Sequence, residues 1–222
     1  MIKLYITVEG QTEETFVREV LSGPLYERGI LAITHLAAVN RARPPARGGW
    51  RSYDAVKKDI SINMKRCSGN DFRFTTMLDL YRIPADFPGH SEGAGITAPH
   101  DRAEILEQRF QEDIGDWRFV PYIQLHEYEA LLFSDIAKLS DYYTSSSDAV
   151  AELASECSSF PSPEHIDDGQ DTSPSRRILA KIPRYDKVAA GAVVAIDIGL
   201  PTLRAKCPHF NQWLIRLEQM GP

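Results

Sequence analysis

Residues 2–9, IKLYITVE, alternate by face: Leu4, Ile6 and Val8 fall on one side, Tyr5 and Thr7 on the other. This period of two predicts a largely buried β-strand ending on a carboxylate, Glu9. In the following GQTEETFVREVL the period changes. Phe16, Val17, Val20 and Leu21 recur at helical spacing, Thr12 stands where an N-cap is expected, and Gly10 is read as the residue that lets the chain turn. Glu13 and Glu14 fall in the first helical turn, where the helix dipole favours acids and no chemical role is required.

The alternation of periods continues. Residues 30–39 predict a second strand, 52–67 a second helix, 72–81 a third strand ending near Asp79, 101–114 another helix, and 119–127 (FVPYIQLHE) a fourth strand running into the apolar ALLF. Strands separated by helices predict an α/β fold with a mostly parallel central sheet flanked by helices. Past residue 134 the pattern becomes Ser-rich, then a polar, Pro-punctuated connector, then helical from Arg176 onward. The expected organisation is an α/β core over 1–134 and a C-terminal helical elaboration over 135–222, packed together as one compact unit.

Composition narrows the chemistry. With 222 residues, 43% hydrophobic and 25% charged, the chain can bury a substantial core. Its net charge of −6 excludes a general polycation, so any nucleic-acid contact must be local. Cys67, Cys157 and Cys207 are scattered, which argues against a disulfide framework and against thiolate zinc; Cys207 reads as a buried structural thiol. No apolar run approaches the roughly 18 residues of a membrane span and no basic-then-apolar leader opens the chain, so a cytoplasmic location is expected.

In an open parallel sheet, ligands gather beyond the carboxyl ends of the strands. Glu9, Asp79, His126 and Glu127 all stand at predicted strand ends, with Glu129 just beyond. Carboxylates collected without cysteine suit hard cations, Mg²⁺ or Mn²⁺, which can polarise a phosphodiester. The loop NRARPPARGGWR carries Arg43, Arg47 and Arg51 beside Trp50, a composition suited to phosphate contact; Arg176, Arg177, Arg184, Lys187, Arg204, Lys206 and His209 add later basic candidates. A solvated loop or a protein-docking surface is the competing reading of the first of these.

VEGQTEETFV followed by the strand-end aspartate of MLDLYRIPADFPG resembles the Toprim fold, the metal-binding module of topoisomerases, primases and OLD-type nucleases. With QLHEYEALLFS, PSRRI, PRYDKVAAG, IGL and CPHFNQWL, the chain more closely resembles the bacterial domain-of-unknown-function family 4276, over nearly its whole length. The resemblance implies a Toprim-like core, an ABC- or AAA-type ATPase partner encoded nearby, and a place in phage defence. Toprim enzymes place a glutamate after the first strand and a D-x-D pair after the third. Glu9 and Asp79 match, but Tyr81 stands where the second aspartate is expected, with Asp86, Glu127 or Glu129 as possible compensation. The expected function is a Mg²⁺- or Mn²⁺-dependent nuclease on DNA. Glu9 and Asp79 would hold metal, Glu127 or Glu129 would add a ligand or base, His126 would assist a leaving oxygen, and Arg43, Arg47, Arg51, Arg177 and Lys187 would contact nucleic acid. An RNA nuclease and a catalytically degenerate module that regulates an ATPase are the alternatives, and a homo-oligomer is compatible with each.

Overall fold

The computed structural model describes residues 1–37, 52–81, 83–166, 169 and 171–221. Arg43, Arg47 and Arg51, and the end of the second predicted strand, lie outside these residues. Among the described residues five strands build the sheet: β1 (Ile2–Val8), β2 (Ile30–Leu36), β3 (Phe72–Asp79), β4 (Phe119–Val120) and β5 (Ile123–Gln124). Their order is β2-β1-β3-β4, with β5 also on β3, and every pairing is parallel. The predicted mostly parallel sheet flanked by helices is therefore the observed architecture.

The helices are α1 (Gln11–Phe16), joined by a π-helical stretch Val17–Leu21 to α2 (Ser22–Glu27); α3 (Tyr53–Arg66); α4 (His90–Gly93); and α5 (Pro99–Ile114). After the sheet come a 3₁₀ segment Tyr128–Lys138, α6 (Leu139–Tyr142), α7 (Ser147–Cys157), α8 (Pro174–Lys181), a π-helical turn Lys187–Gly191, α9 (Ala192–Ile198), α10 (Leu200–Lys206) and α11 (Pro208–Glu218). Among the described residues no single helix is long and apolar enough to cross a membrane.

The predicted fourth strand is broken in two. Pro121 has no N–H to give a ladder, and the gap is bridged by Thr76, whose hydroxyl donates to Tyr122 O (2.8 Å) and accepts from Tyr122 N (3.0 Å). The chain then leaves the sheet at His126, which adopts φ +58°, a left-handed conformation unusual for a residue with a Cβ. The start of the first helix also differs from expectation. Gly10 is the N-cap, with extended φ of −152°, and Thr12 is buried inside the helix without capping it. What glycine supplies here is space: a Cβ at Gly10 would stand 3.1 Å from Glu13 Oε2.

The two faces of the sheet bury different layers. Leu4, Ile6, Val8 and Met77 face a core completed by Phe16, Tyr128, Phe210 and Trp213. Phe74 and Leu78 face the other core, with Tyr53, Val56, Ile60 and Phe110 from α3 and α5. Trp213 of α11 stacks on Tyr122 (centroids 4.3 Å, 9°) and donates its Nε1–H to Thr75 Oγ1 (2.9 Å). Burial of one such aromatic side chain contributes roughly 1.5–3 kcal/mol and its stacking about 0.5–1.5 more. That contact holds the C-terminal helices on the face of β3 to which Asp79, of the same parity as Thr75 and Met77, also points.

Candidate active site

Four acids and one lysine meet beyond the carboxyl ends of β1 and β3. Strand β1 delivers Glu9, whose Oε2 accepts from the backbone N–H of Asp79 (3.3 Å). Strand β3 delivers Asp79 itself, α1 contributes Glu13, and the first turn after the sheet contributes Glu129. Lys187 enters from the opposite side. Its Nζ lies 3.2 Å from Glu13 Oε1, 3.3 Å from Glu129 Oε2 and 3.8 Å from Asp79 Oδ2, and 5.7 Å from the ring centre of Tyr128.

Lys187 is aimed by its neighbours. The carboxylate of Asp186 accepts from Val188 N (2.9 Å) and Ala189 N (3.0 Å), capping the π-helical turn and fixing the direction in which residue 187 leaves it. At the far end of the turn Gly191 packs so closely that a Cβ would lie 3.2 Å from Thr12 Cγ2 and Tyr185 Oη, and 3.3 Å from Tyr128 Cε1. The Tyr128 hydroxyl donates to Gly191 O (3.2 Å), tying the turn to the 3₁₀ segment that carries Glu129.

The cluster is short of positive charge. The side chains of Glu13, Glu129 and Asp79 are 3%, 1% and 10% exposed, against 36% for Lys187. Glu13 Oε1 and Glu129 Oε2 are buried and receive no hydrogen bond, although both lie at ion-pair distance from the ammonium. Burial pushes Asp79 well above the usual carboxylate range; Lys187 opposes this, and Glu9, Glu13 and Glu129 reinforce it. Glu129 is raised in the same way, first by burial, against Lys187, and further by Glu127 and Glu13. For Lys187 burial acts downward, but the four acids outweigh it and hold the ammonium well above its ordinary value. The cluster thus retains protons and would gain from additional cationic charge.

The donor chemistry suits a hard divalent cation: carboxylate oxygens, two of them buried without a hydrogen-bond donor. With Lys187 seated between them, however, no three acidic, histidine or cysteine side chains among the described residues surround one point as metal ligands would.

The other predicted residues are placed as follows. Glu127 turns toward α8, accepting from Ser175 N (2.6 Å) and Ser175 Oγ (3.0 Å) at the N-terminal turn of that helix. His126 Nε2 lies 3.1 Å from Glu164 O. Asp86, considered as a substitute for the second aspartate, accepts from Tyr53 N (3.1 and 3.0 Å) at the start of α3. Arg177 donates to Thr172 O and lies over the Phe160 ring. Arg204 pairs with Glu218, and His209 is buried against Glu107 and Tyr122, so neither faces a ligand; Cys207 is buried, its thiol pushed up to about 12 chiefly by burial. Glu13, read from sequence as a dipole partner only, is instead a buried member of the cluster. Its signal was the spacing Glu13, Phe16, Val17, Val20, which puts it on the apolar face of the helix.

Above the cluster opens a cleft of about 1000 Å³ whose lining includes Tyr81, Glu129, Arg176, Arg184, Tyr185 and Lys187. Tyr81 thus forms part of the wall over the position where the sequence pattern anticipated a second acid.

Fold and cluster together define an α/β protein with an acid–lysine site at the carboxyl edge of a parallel sheet. A family model described as Domain of unknown function (DUF4276) matches residues 8–218, and the chain belongs to that family. Among solved structures it is similar to the C-terminal region of the OLD protein of Xanthomonas campestris pv. campestris, at 18% identity, 97% coverage of each chain and a TM-score of 0.41. Among curated proteins no significant match is found.

Proposed function

We propose that the chain is a Toprim-type phosphodiesterase that cleaves nucleic acid, with DNA as the first candidate substrate and Mg²⁺ or Mn²⁺ as cofactor. The observation that carries this reading is the convergence of Glu9, Glu13, Asp79 and Glu129 on Lys187 at the end of the sheet, beneath an open cleft. In hydrolysis of a phosphodiester a water oxygen bonds to phosphorus, the bond to the leaving oxygen breaks, the water's proton passes to solvent in the open cleft, and another proton reaches the leaving group. Glu9 and Asp79 are the residues that would hold the cation, which when bound polarises the phosphodiester and offsets its charge. Lys187 orients a non-bridging phosphate oxygen with its ammonium. Glu129, whose carboxyl keeps its proton to higher pH than an exposed glutamate, is suited to deliver a proton to the leaving oxygen. A partner ATPase and a role in phage defence are supported by the sequence resemblance alone.

Two observations favour a second reading. Lys187 fills the space between the acids, and Tyr81 stands in place of an acid, as expected of a module that binds and regulates an ATPase without cutting. Calorimetry with Mn²⁺ on the wild type and on Glu9→Gln separates the two. Millimolar or tighter binding that Glu9→Gln weakens supports the enzyme, whereas no binding at millimolar Mn²⁺ removes it in favour of the regulatory module.

A further inference from the structure

We propose that the cleft takes a single-stranded segment of nucleic acid and excludes duplex; this rests on the phosphodiester reading of its floor. Glu13, Glu129 and Asp79 are almost fully buried, Glu9 is half-buried, and it is Glu129 and Lys187 that open onto the cleft, which gives a scissile phosphate a path to the cluster. Glu129, 1% exposed and with an Oε2 that receives no hydrogen bond, lines the cleft as well as the cluster and joins the two.

Size opposes a duplex. The cleft is open to solvent on one side and offers about 1000 Å³ within its walls. A B-form duplex has grooves about 8.5 and 7.5 Å deep on either side of each base pair, and rises about 3.4 Å per pair. Each base pair therefore sweeps on the order of 1000 Å³, and the whole cleft would be spent on a single pair. A single strand, without its complement and its grooves, fits a few nucleotides into the same space.

The walls agree with this. Arg176 and Arg184 are exposed at the cleft and have no acidic partner among the described residues; Arg184 instead hydrogen-bonds the neutral Ser145 hydroxyl and lies over the Tyr143 ring. Glu127 and Asp186 also line the cleft, Glu127 held by Ser175 and Asp186 by Val188 N and Ala189 N, so the two arginines are the cationic groups there left to meet a phosphate backbone. Tyr81 and Val188 add half-buried and exposed aromatic and aliphatic surface. Such surfaces gain contact with unstacked bases, which a single strand presents and a duplex hides.

The test is fluorescence anisotropy with Ca²⁺ present, comparing a labelled oligo-dT of about eight nucleotides with a blunt duplex of about sixteen base pairs. Tyr81→Ala and the double variant Arg176→Ala with Arg184→Ala are measured alongside, with circular dichroism as the check on folding. At least tenfold tighter binding of the single strand is expected. Tyr81→Ala should weaken it about tenfold, and the arginine pair should reduce the salt slope by about 1.4, two single-strand phosphates at about 0.7 each. Equal or tighter duplex binding, no binding of either probe, or an unchanged slope with normally folded variants overturns the proposal. Cleavage is read separately in Mn²⁺. Tight single-strand binding without cleavage leaves the cleft's specificity standing and removes the nuclease reading; cleavage of duplex at equal affinity does the reverse.

Discussion

Replacing Lys187 with methionine removes the charge but keeps most of the side chain's length, leaving four carboxyl groups without their central cation. Three of them have an oxygen within 3.8 Å of the ammonium position. Breaking a fully buried ion pair costs about 3–5 kcal/mol. The 36% exposure of Lys187 lets water and salt screen part of that, so we expect Lys187→Met to cost about 2–3 kcal/mol near pH 8. The sign with pH follows from the acids. Asp79 and Glu129 already titrate above their unfolded values, so their contribution to stability is greatest below those values and is lost as pH rises through the folded ones. Without Lys187 the folded values rise further and the loss reaches higher pH. Lys187 itself is raised, so its own contribution is complete below its unfolded value and falls only when pH climbs through the folded value, well into the alkaline range. The gap between wild type and variant should therefore widen from about pH 5 to about pH 8. Urea unfolding at both pH values, with and without Mg²⁺, measures it. Mg²⁺ at about ten times its dissociation constant should return roughly 1.4 kcal/mol to the variant. A gap below about 0.5 kcal/mol at pH 8, or one that does not change with pH, would refute the view that Lys187 neutralises a buried acid cluster.

Gly191→Ala forces a Cβ into Thr12, Tyr185 and Tyr128 and should cost about 1–3 kcal/mol by chemical denaturation; it should also weaken Mn²⁺ or oligonucleotide binding by displacing Lys187, which a purely structural glycine would not do. Glu127→Gln removes the charge from the acceptor of Ser175 N and Oγ, so a loss of about 1 kcal/mol in thermal or urea unfolding is expected with Mn²⁺ affinity unchanged; a large loss of affinity would return Glu127 to the metal-ligand role expected from sequence. For His209, burial acts downward but the hydrogen bond and charge of Glu107, aided by Glu164, raise it overall. Its contribution is complete below the ordinary histidine value and lost as pH rises through the folded value, so His209→Gln should flatten the decline in stability between about pH 6 and 8; an unchanged profile would show that another group sets it.

Glu9 and Asp79 were legible because strands announce themselves: a period of two gives the face, and the change to helical period gives the end. Pro121 carried the signal for the break in the fourth strand, since a residue without an N–H cannot serve an interior ladder position, although the alternation over 119–127 reads as one continuous strand. Glu127 and His126 lie beside the cluster rather than in it, Glu127 lining the cleft, for a related reason. Their assignment assumed that extended chain continues to residue 127, whereas the left-handed turn at His126 swings Glu127 toward α8, and nothing in LHEYEALLF distinguishes those two paths. Lys187 marks where local pattern stops being informative. It is separated from Glu9 by most of the chain and reaches the acids because its turn packs against α1, α9 and the 3₁₀ segment, to which Tyr128 ties it through Gly191 O. Read locally, a lysine following an aspartate belongs on a solvated turn. In the fold it is the ammonium that makes burial of Glu13 and Glu129 tolerable, and their burial in turn gives the residues after 186 a reason to pack as a close-fitting turn around Gly191. Strand ends place Glu9 and Asp79 locally, but the burial of Glu13 and Glu129 and the position of Lys187 are explained only together, each supplying the physical reason for the other.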